Sequence, residues 1–173
     1  QDDKDEVDYK KISEILKQKK TFSKITLEDK IKVGEETVRF GAVIGNPPYQ
    51  ISDGGAQASA KPIYQEYIKL GKKLSTLYMT IISPSRWFTG GKGLDKFRLE
   101  MLEDSRFRKI VDFSDSKDCF TDVEIKGGVN YFLWDTSYDG ECIVINMLEN
   151  KKISTQRKLK EKNLDIFIRY NIL

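Results

Sequence analysis

Asn46-Pro47-Pro48-Tyr49 sets an amide, two rigid prolines and an aromatic ring side by side. Together these groups suit the holding of a planar exocyclic amine. The lone pair of such an amine, as at N6 of adenine, is delocalised into the ring, so the nitrogen is a poor nucleophile. Two acceptors on its two N–H bonds favour the tetrahedral geometry of the transition state, which is differential stabilisation. The side-chain oxygen of Asn46 can be one acceptor and the backbone carbonyl of Pro47 the other. Consecutive prolines fix φ and aim that carbonyl at little ordering cost. Gly45 lets the backbone come close to a substrate. Tyr49 offers a ring on which a base can stack, worth ~1–3 kcal/mol per base. The plainer reading is an ordinary turn, since Asn-Pro dipeptides mark turns.

The elements around the tetrapeptide favour the first reading. Phe40-Gly41-Ala42-Val43-Ile44-Gly45 reads as a buried strand, so the motif falls at the carboxyl edge of a sheet, where open α/β sheets bind ligands. Ser52 to Ala60 is rich in small residues and reads as a mobile loop. Pro62 opens a helix to about Lys73, with Ile63, Tyr67 and Leu70 on one face. Leu77 to Ser83 reads as a strand stopped by Pro84, and Leu94 to Leu102 as a helix with Phe97 and Met101 inward. Strands follow at Lys109 to Phe113, Gly128 to Trp134 and Cys142 to Met147. The alternation predicts an α/β class, mostly parallel, with the last strands pairing antiparallel at an edge.

Composition removes several chemistries. The chain has no histidine, which excludes Ser-His nucleophile systems and the commonest zinc ligand. Cys119 and Cys142 are too few for a disulfide framework and are expected to be free thiols in a reducing cytoplasm. No window approaches a membrane span. The chain starts at Gln1, which predicts a piece of something longer. Residues 1–39 read as a peripheral segment, with a thin helical stripe at Ile12, Ile15 and Leu16 between Asp8 and Lys20. Thr21 to Arg39 reads as a strand pair or an extended connection. Residues 40–150 read as the catalytic region. Residues 151–173 carry seven bases against two acids and read as a basic linker or the start of a further region, of a kind that suits a polyanion.

Several segments together resemble one family. They are Asn46–Tyr49, Ser83-Pro84-Ser85-Arg86-Trp87-Phe88-Thr89-Gly90-Gly91-Lys92-Gly93, Asp95-Lys96-Phe97-Arg98, and Gly127-Gly128-Val129-Asn130-Tyr131-Phe132-Leu133-Trp134-Asp135. The chain is similar here to the adenine-specific DNA methyltransferases of restriction-modification systems, and nearest to methylase regions of the Eco57I type. The resemblance implies a partial Rossmann-like methyltransferase fold, S-adenosylmethionine as donor, and a target adenine flipped out of double-stranded DNA. It implies catalytic roles for Asn46, Pro47 and Tyr49, and substrate contacts from Pro48 and a second aromatic. Phe120 best matches that aromatic, and Tyr131 competes with it. No glycine turn followed by an acidic residue precedes Asn46, so the donor-binding half is expected to lie outside this chain. The isolated chain should then bind the donor weakly or not at all. The implied partners are the rest of the methyltransferase, a target-recognition domain and possible fusion to a nuclease.

Other signals are weaker. Gly90–Gly93 resembles a phosphate cradle but lacks the Lys-Ser/Thr ending of a P-loop. Lys92 or Arg86 touching DNA phosphate is the reading kept for it. Glu124-Ile125-Lys126 with Asp118 or Asp122 faintly resembles a metal-dependent nuclease site. With 33% charged residues such a triplet arises by chance, and no metal is expected. Two further readings stay open: an enzyme acting on protein glutamine or an RNA base, and a non-catalytic DNA-binding module.

Overall fold

The computed structural model describes residues 32–33, 36–37, 40–51, 60–148 and 151–170. The chain divides into two units, Gln1–Val38 and Arg39–Leu173. In the first, β1 (Lys32–Val33) and β2 (Glu36–Thr37) pair antiparallel, one of the two outcomes expected for Thr21 to Arg39. The helix expected between Asp8 and Lys20 and most of the loop after Ser52 lie outside the described residues.

The second unit is built on a six-stranded sheet. Its strands are β3 (Phe40–Gly45), β6 (Ser75–Pro84), β7 (Phe107–Phe113), β8 (Val129–Asp135), β9 (Cys142–Leu148) and β10 (Lys151–Arg157), in the order β10-β9-β7-β8-β6-β3. β3 and β6 are parallel, as are β7 and β9. β8 runs antiparallel between β6 and β7, and β10 runs antiparallel along one edge. Four of the six strands therefore point the same way, and the antiparallel edge is present at β10. The late strands do not form a simple edge meander, because β8 is inserted between β6 and β7 and β9 bonds β7 directly. A short pair, β4 (Gln50–Ile51) and β5 (Lys61–Pro62), closes the loop between residues 52 and 60.

Helix α1 (Tyr64–Leu74) buries Tyr64, Ile68 and Gly71. The expected stripe of Ile63, Tyr67 and Leu70 is one residue out of phase, and Pro62 belongs to β5. The reason is Gly71. A Cβ there would sit 2.5 Å from the Met79 sulfur, so the helix meets β6 through its smallest residue, which an apolar count overlooks. Helix α2 (Asp95–Leu102) turns Phe97 and Met101 inward, as expected. The core lies on this face of the sheet, around Met79 and Ile81 of β6, Phe132 and Trp134 of β8, Ile110 of β7 and Val144 of β9. Trp87 and Phe88 are buried in it.

The opposite face is more open. Ile44 is 80% exposed, so β3 is not the buried strand its composition predicts. Residues 151–170 are neither linker nor the start of another region. They form β10 and a strap that places Leu159 and Phe167 in the core. Among the described residues no helix is long and apolar enough to cross a membrane.

Candidate functional site

β3 ends at Gly45, and the next four residues leave the carboxyl edge of the sheet. Asn46 is exposed, and its amide makes no hydrogen bond to the described residues. Pro47 is buried and Pro48 exposed. Among the described residues, a side chain at position 45 would meet only Ile81, at 3.9 Å, so their packing does not require glycine there.

Tyr49 is half-buried. Its carbonyl accepts from the Ile63 amide (3.2 Å), which ties the tetrapeptide to the start of α1. Its hydroxyl is buried and has no hydrogen-bond partner among the described residues. Burial, and then the neighbouring Cys119 thiol, push the Tyr49 pKa up to about 12. The phenol stays protonated near neutral pH and cannot serve as a base there.

Facing the tetrapeptide is the connection between β7 and β8, residues 114–128. Asp115 caps a 3₁₀ turn (Ser116–Asp118) by accepting from the Lys117 amide at 2.9 Å. The buried Ser116 shapes the remainder of the connection. Its hydroxyl donates to the Val123 carbonyl (3.0 Å) and accepts from the Ile125 amide (2.8 Å). Its carbonyl accepts from the Phe120 amide (2.7 Å). These bonds fold the connection back so that Phe120, Val123 and Ile125 form one wall of a cavity. Asn46–Tyr49 form the other, and the volume is about 330 Å³. That lies at the lower end of the range for ligand pockets, about 300–1,000 Å³.

The two aromatics nominated from sequence are thus separated. Phe120 lines the cavity, and Tyr131 does not. Tyr131 is 40% exposed, neither core nor cavity wall, with its ring 6.1 Å from Phe113. Along β8 it alternates with the inward Phe132.

Arg86 and Lys92 are exposed and also lie outside the cavity lining. Gly90, Gly91, Lys92 and Gly93 all have positive φ. Arg98 Nη1 donates to the Thr89 carbonyl (2.7 Å) and to Asp95 (2.8 Å), and the Gly91 amide donates to Asp95 (3.2 Å). A Cβ on Gly90 would fall 1.7 Å from Arg98. The glycines of this loop thus have a reason in the fold. Asp118, Asp122 and Glu124 are exposed, and among the described residues no three metal-ligating side chains gather.

Below the same sheet edge is a polar cluster that sequence reading missed. Asp112 is fully buried at the end of β7. It accepts from the Ser85 hydroxyl (2.7 Å), from Asn146 (3.3 Å) and from Arg169 through two nitrogens (2.6 and 2.8 Å). Asn130 donates to the Ser83 carbonyl and the Ser85 hydroxyl. Ser85 follows β6, Asp112 and Asn146 lie near the ends of β7 and β9, and Asn130 lies near the start of the antiparallel β8, so only the shared edge unites them. Arg169 was visible from sequence only as one charge of a basic tail.

The cavity walls offer aromatic and apolar surface beside one amide, with no carboxylate and no glycine turn. Among the described residues that line the cavity, none supplies a carboxylate for the ammonium of S-adenosylmethionine.

The sequence pattern of the family described as "Eco57I restriction-modification methylase" matches residues 1–120. An "Uncharacterized adenine-specific methylase" of Mycoplasma pneumoniae is 31% identical over 147 residues, covering 83% of this chain and 35% of that protein. Among solved structures, the type I restriction-modification system methyltransferase subunit from Streptococcus thermophilus superposes with a TM-score of 0.50 at 18% identity, over 75% of this chain and 32% of its own. The chain thus spans about a third of the length of each.

Proposed function

The chain belongs to the Eco57I restriction-modification methylase family, and from that membership we propose that it supplies the base-binding side of a DNA adenine N6-methyltransferase. The observation that carries this reading is the meeting of Asn46–Tyr49 with Phe120 in one cavity at the carboxyl edge of the sheet. The Asn46 amide is free to accept from a substrate amine, and the Pro47 carbonyl is the second acceptor. Tyr49 and Phe120 present rings from opposite walls to an adenine swung out of double-stranded DNA. The open space beside Gly45 leaves room for the base edge to approach the backbone. S-adenosylmethionine is the methyl donor this activity uses, and its binding residues are assigned outside the cavity, in the part of the protein that the described residues do not include. Arg86 and Lys92 are proposed to meet DNA phosphate rather than the base. A target-recognition region, and a nuclease where one is fused, would complete the enzyme.

The test uses the full-length protein and DNA that carries no prior modification. Asn46→Ala should abolish the appearance of N6-methyladenine in digested DNA. Methylation retained at the wild-type rate would remove the assignment.

A further inference from the structure

The cavity has two walls, and both carry local ties, the Phe120 wall through Ser116. Asn46–Tyr49 is tied to the adjacent helix through the Tyr49 carbonyl and the β4–β5 pair. The Phe120 wall rides on the long connection 114–128, which must return to β8 at a fixed height for Phe120 to face Tyr49. Its return is narrow. Gly127 and Gly128 have φ of 91° and 80°. A Cβ on Gly128 would lie 2.0 Å from the Phe113 carbonyl oxygen and 2.9 Å from Arg169 Nη2. The connection is therefore pinched between the end of β7 and the Arg169 guanidinium.

Arg169 comes from the C-terminal strap. It grips two partners at once, Asp112 under the sheet edge and the Gly127 carbonyl at the foot of the connection (2.8 Å). Its guanidinium carbon also lies 5.6 Å from the centroid of the Phe88 ring. The strap is held in turn by the Phe167 amide on the Phe88 carbonyl (2.9 Å) and by Arg157 on the Ile168 carbonyl. A fork-shaped, permanently charged donor suits this place because it satisfies a buried carboxylate and a carbonyl together. A lysine has no such fork.

We propose that Arg169 is a positioning residue for base binding: by bridging Asp112 to the Gly127 carbonyl it sets the height of the Phe120 wall against Asn46–Tyr49. The proposal rests on the base-binding reading above and deepens it. The strap thereby belongs to the working edge of the molecule, although Arg169 does not touch the base.

Two readouts in the full-length protein test it. Amide hydrogen exchange reports the wall, and the single-turnover methylation rate constant reports the chemistry without depending on the folded fraction. Arg169→Met should speed exchange across residues 123–128 at least about tenfold while the β6 and β8 amides keep their protection. The rate constant should fall about ten- to hundredfold, the scale of a misplaced reacting group, with the KM for S-adenosylmethionine within about twofold of wild type. Arg169→Lys should restore part of both. Arg169→Met leaves Asp112 buried and unpaired, so Asp112→Asn with Arg169→Met provides a folded alternative that still lacks the Gly127 bond. Unchanged exchange across 123–128 in these variants would overturn the proposal, as would faster exchange with an unchanged rate constant. The two readings fail separately. Methylation that survives Asn46→Ala removes the base-binding assignment, and exchange then still decides whether Arg169 holds this wall.

Discussion

Phe120 and Tyr131 differ less in chemistry than in the surface each is given. Both are aromatic residues close to the same sheet edge. The strand pairing sends Tyr131 to the face opposite Phe132, while the Ser116 bonds turn Phe120 toward Tyr49. Phe120→Ala should lower kcat/KM for DNA about ten- to hundredfold, the worth of one stacked base. Tyr131→Ala should leave it within about twofold. Steady-state kinetics on the full-length enzyme distinguish the two, and a larger effect from Tyr131 would reverse the assignment. Sequence reading nominated both rings and favoured Phe120 on motif similarity. The physical reason lay in hydrogen bonds of a side chain, Ser116, that carries no motif of its own. The tetrapeptide was easier to read, because its chemistry is local and prolines restrict their own backbone. Asp112 and Arg169 were illegible for the converse reason: they are fifty-seven positions apart in sequence.

Among elements, the junctions hold more of the specificity than the elements themselves. Gly128 sits where the 114–128 connection enters β8, with positive φ and a backbone oxygen where a Cβ would go. Gly128→Ala should cost at least about 1–3 kcal/mol from conformational strain alone, read as a lowered urea midpoint. Stability indistinguishable from wild type would contradict the packing described. The turn between α2 and β7 centres on Asp104, which binds Arg106, Lys72 and the Trp134 indole. Burial raises the pKa of this carboxyl, but the hydrogen bonds from Arg106 and Lys72 and the Lys72 charge outweigh it, leaving about 2 against an ordinary 3.8. A depressed folded-state pKa contributes stability above 3.8 that is lost as pH falls through about 2. Thermal melts from about pH 5 to about pH 2 should fall over that window. Asp104→Asn should lower the neutral-pH melting temperature and flatten that part of the acid loss. Most strands and α2 were legible because apolar alternation and Pro84 mark them. The phase of α1 was not, because its closest contact is a glycine.

At the scale of the whole molecule, the strap after β10 completes the core. Phe167 packs on Phe88 with ring centroids 4.2 Å apart, and Leu159 is buried beside the same layer. Phe167→Ala should destabilise the fold by about 3–5 kcal/mol, the range for a buried Phe lost from a core. Equilibrium unfolding would check it, and a cost under about 1 kcal/mol would mean the strap is dispensable. Counting charges hid this, since the buried Arg157 and the half-buried Arg169 look like solvated lysines to such a count. The order of the central sheet also bears on how the protein is made. β8 lies between β6 and β7 but follows both along the chain. Until the ribosome has released β8, the two earlier strands have no bridge between them, and each offers an open edge to other chains. Closing the sheet therefore waits on a late, non-local pairing, the kind that slows folding and exposes intermediates to aggregation. A nascent chain stalled before Val129 should be a chaperone client, and one extended well past Phe167 should not.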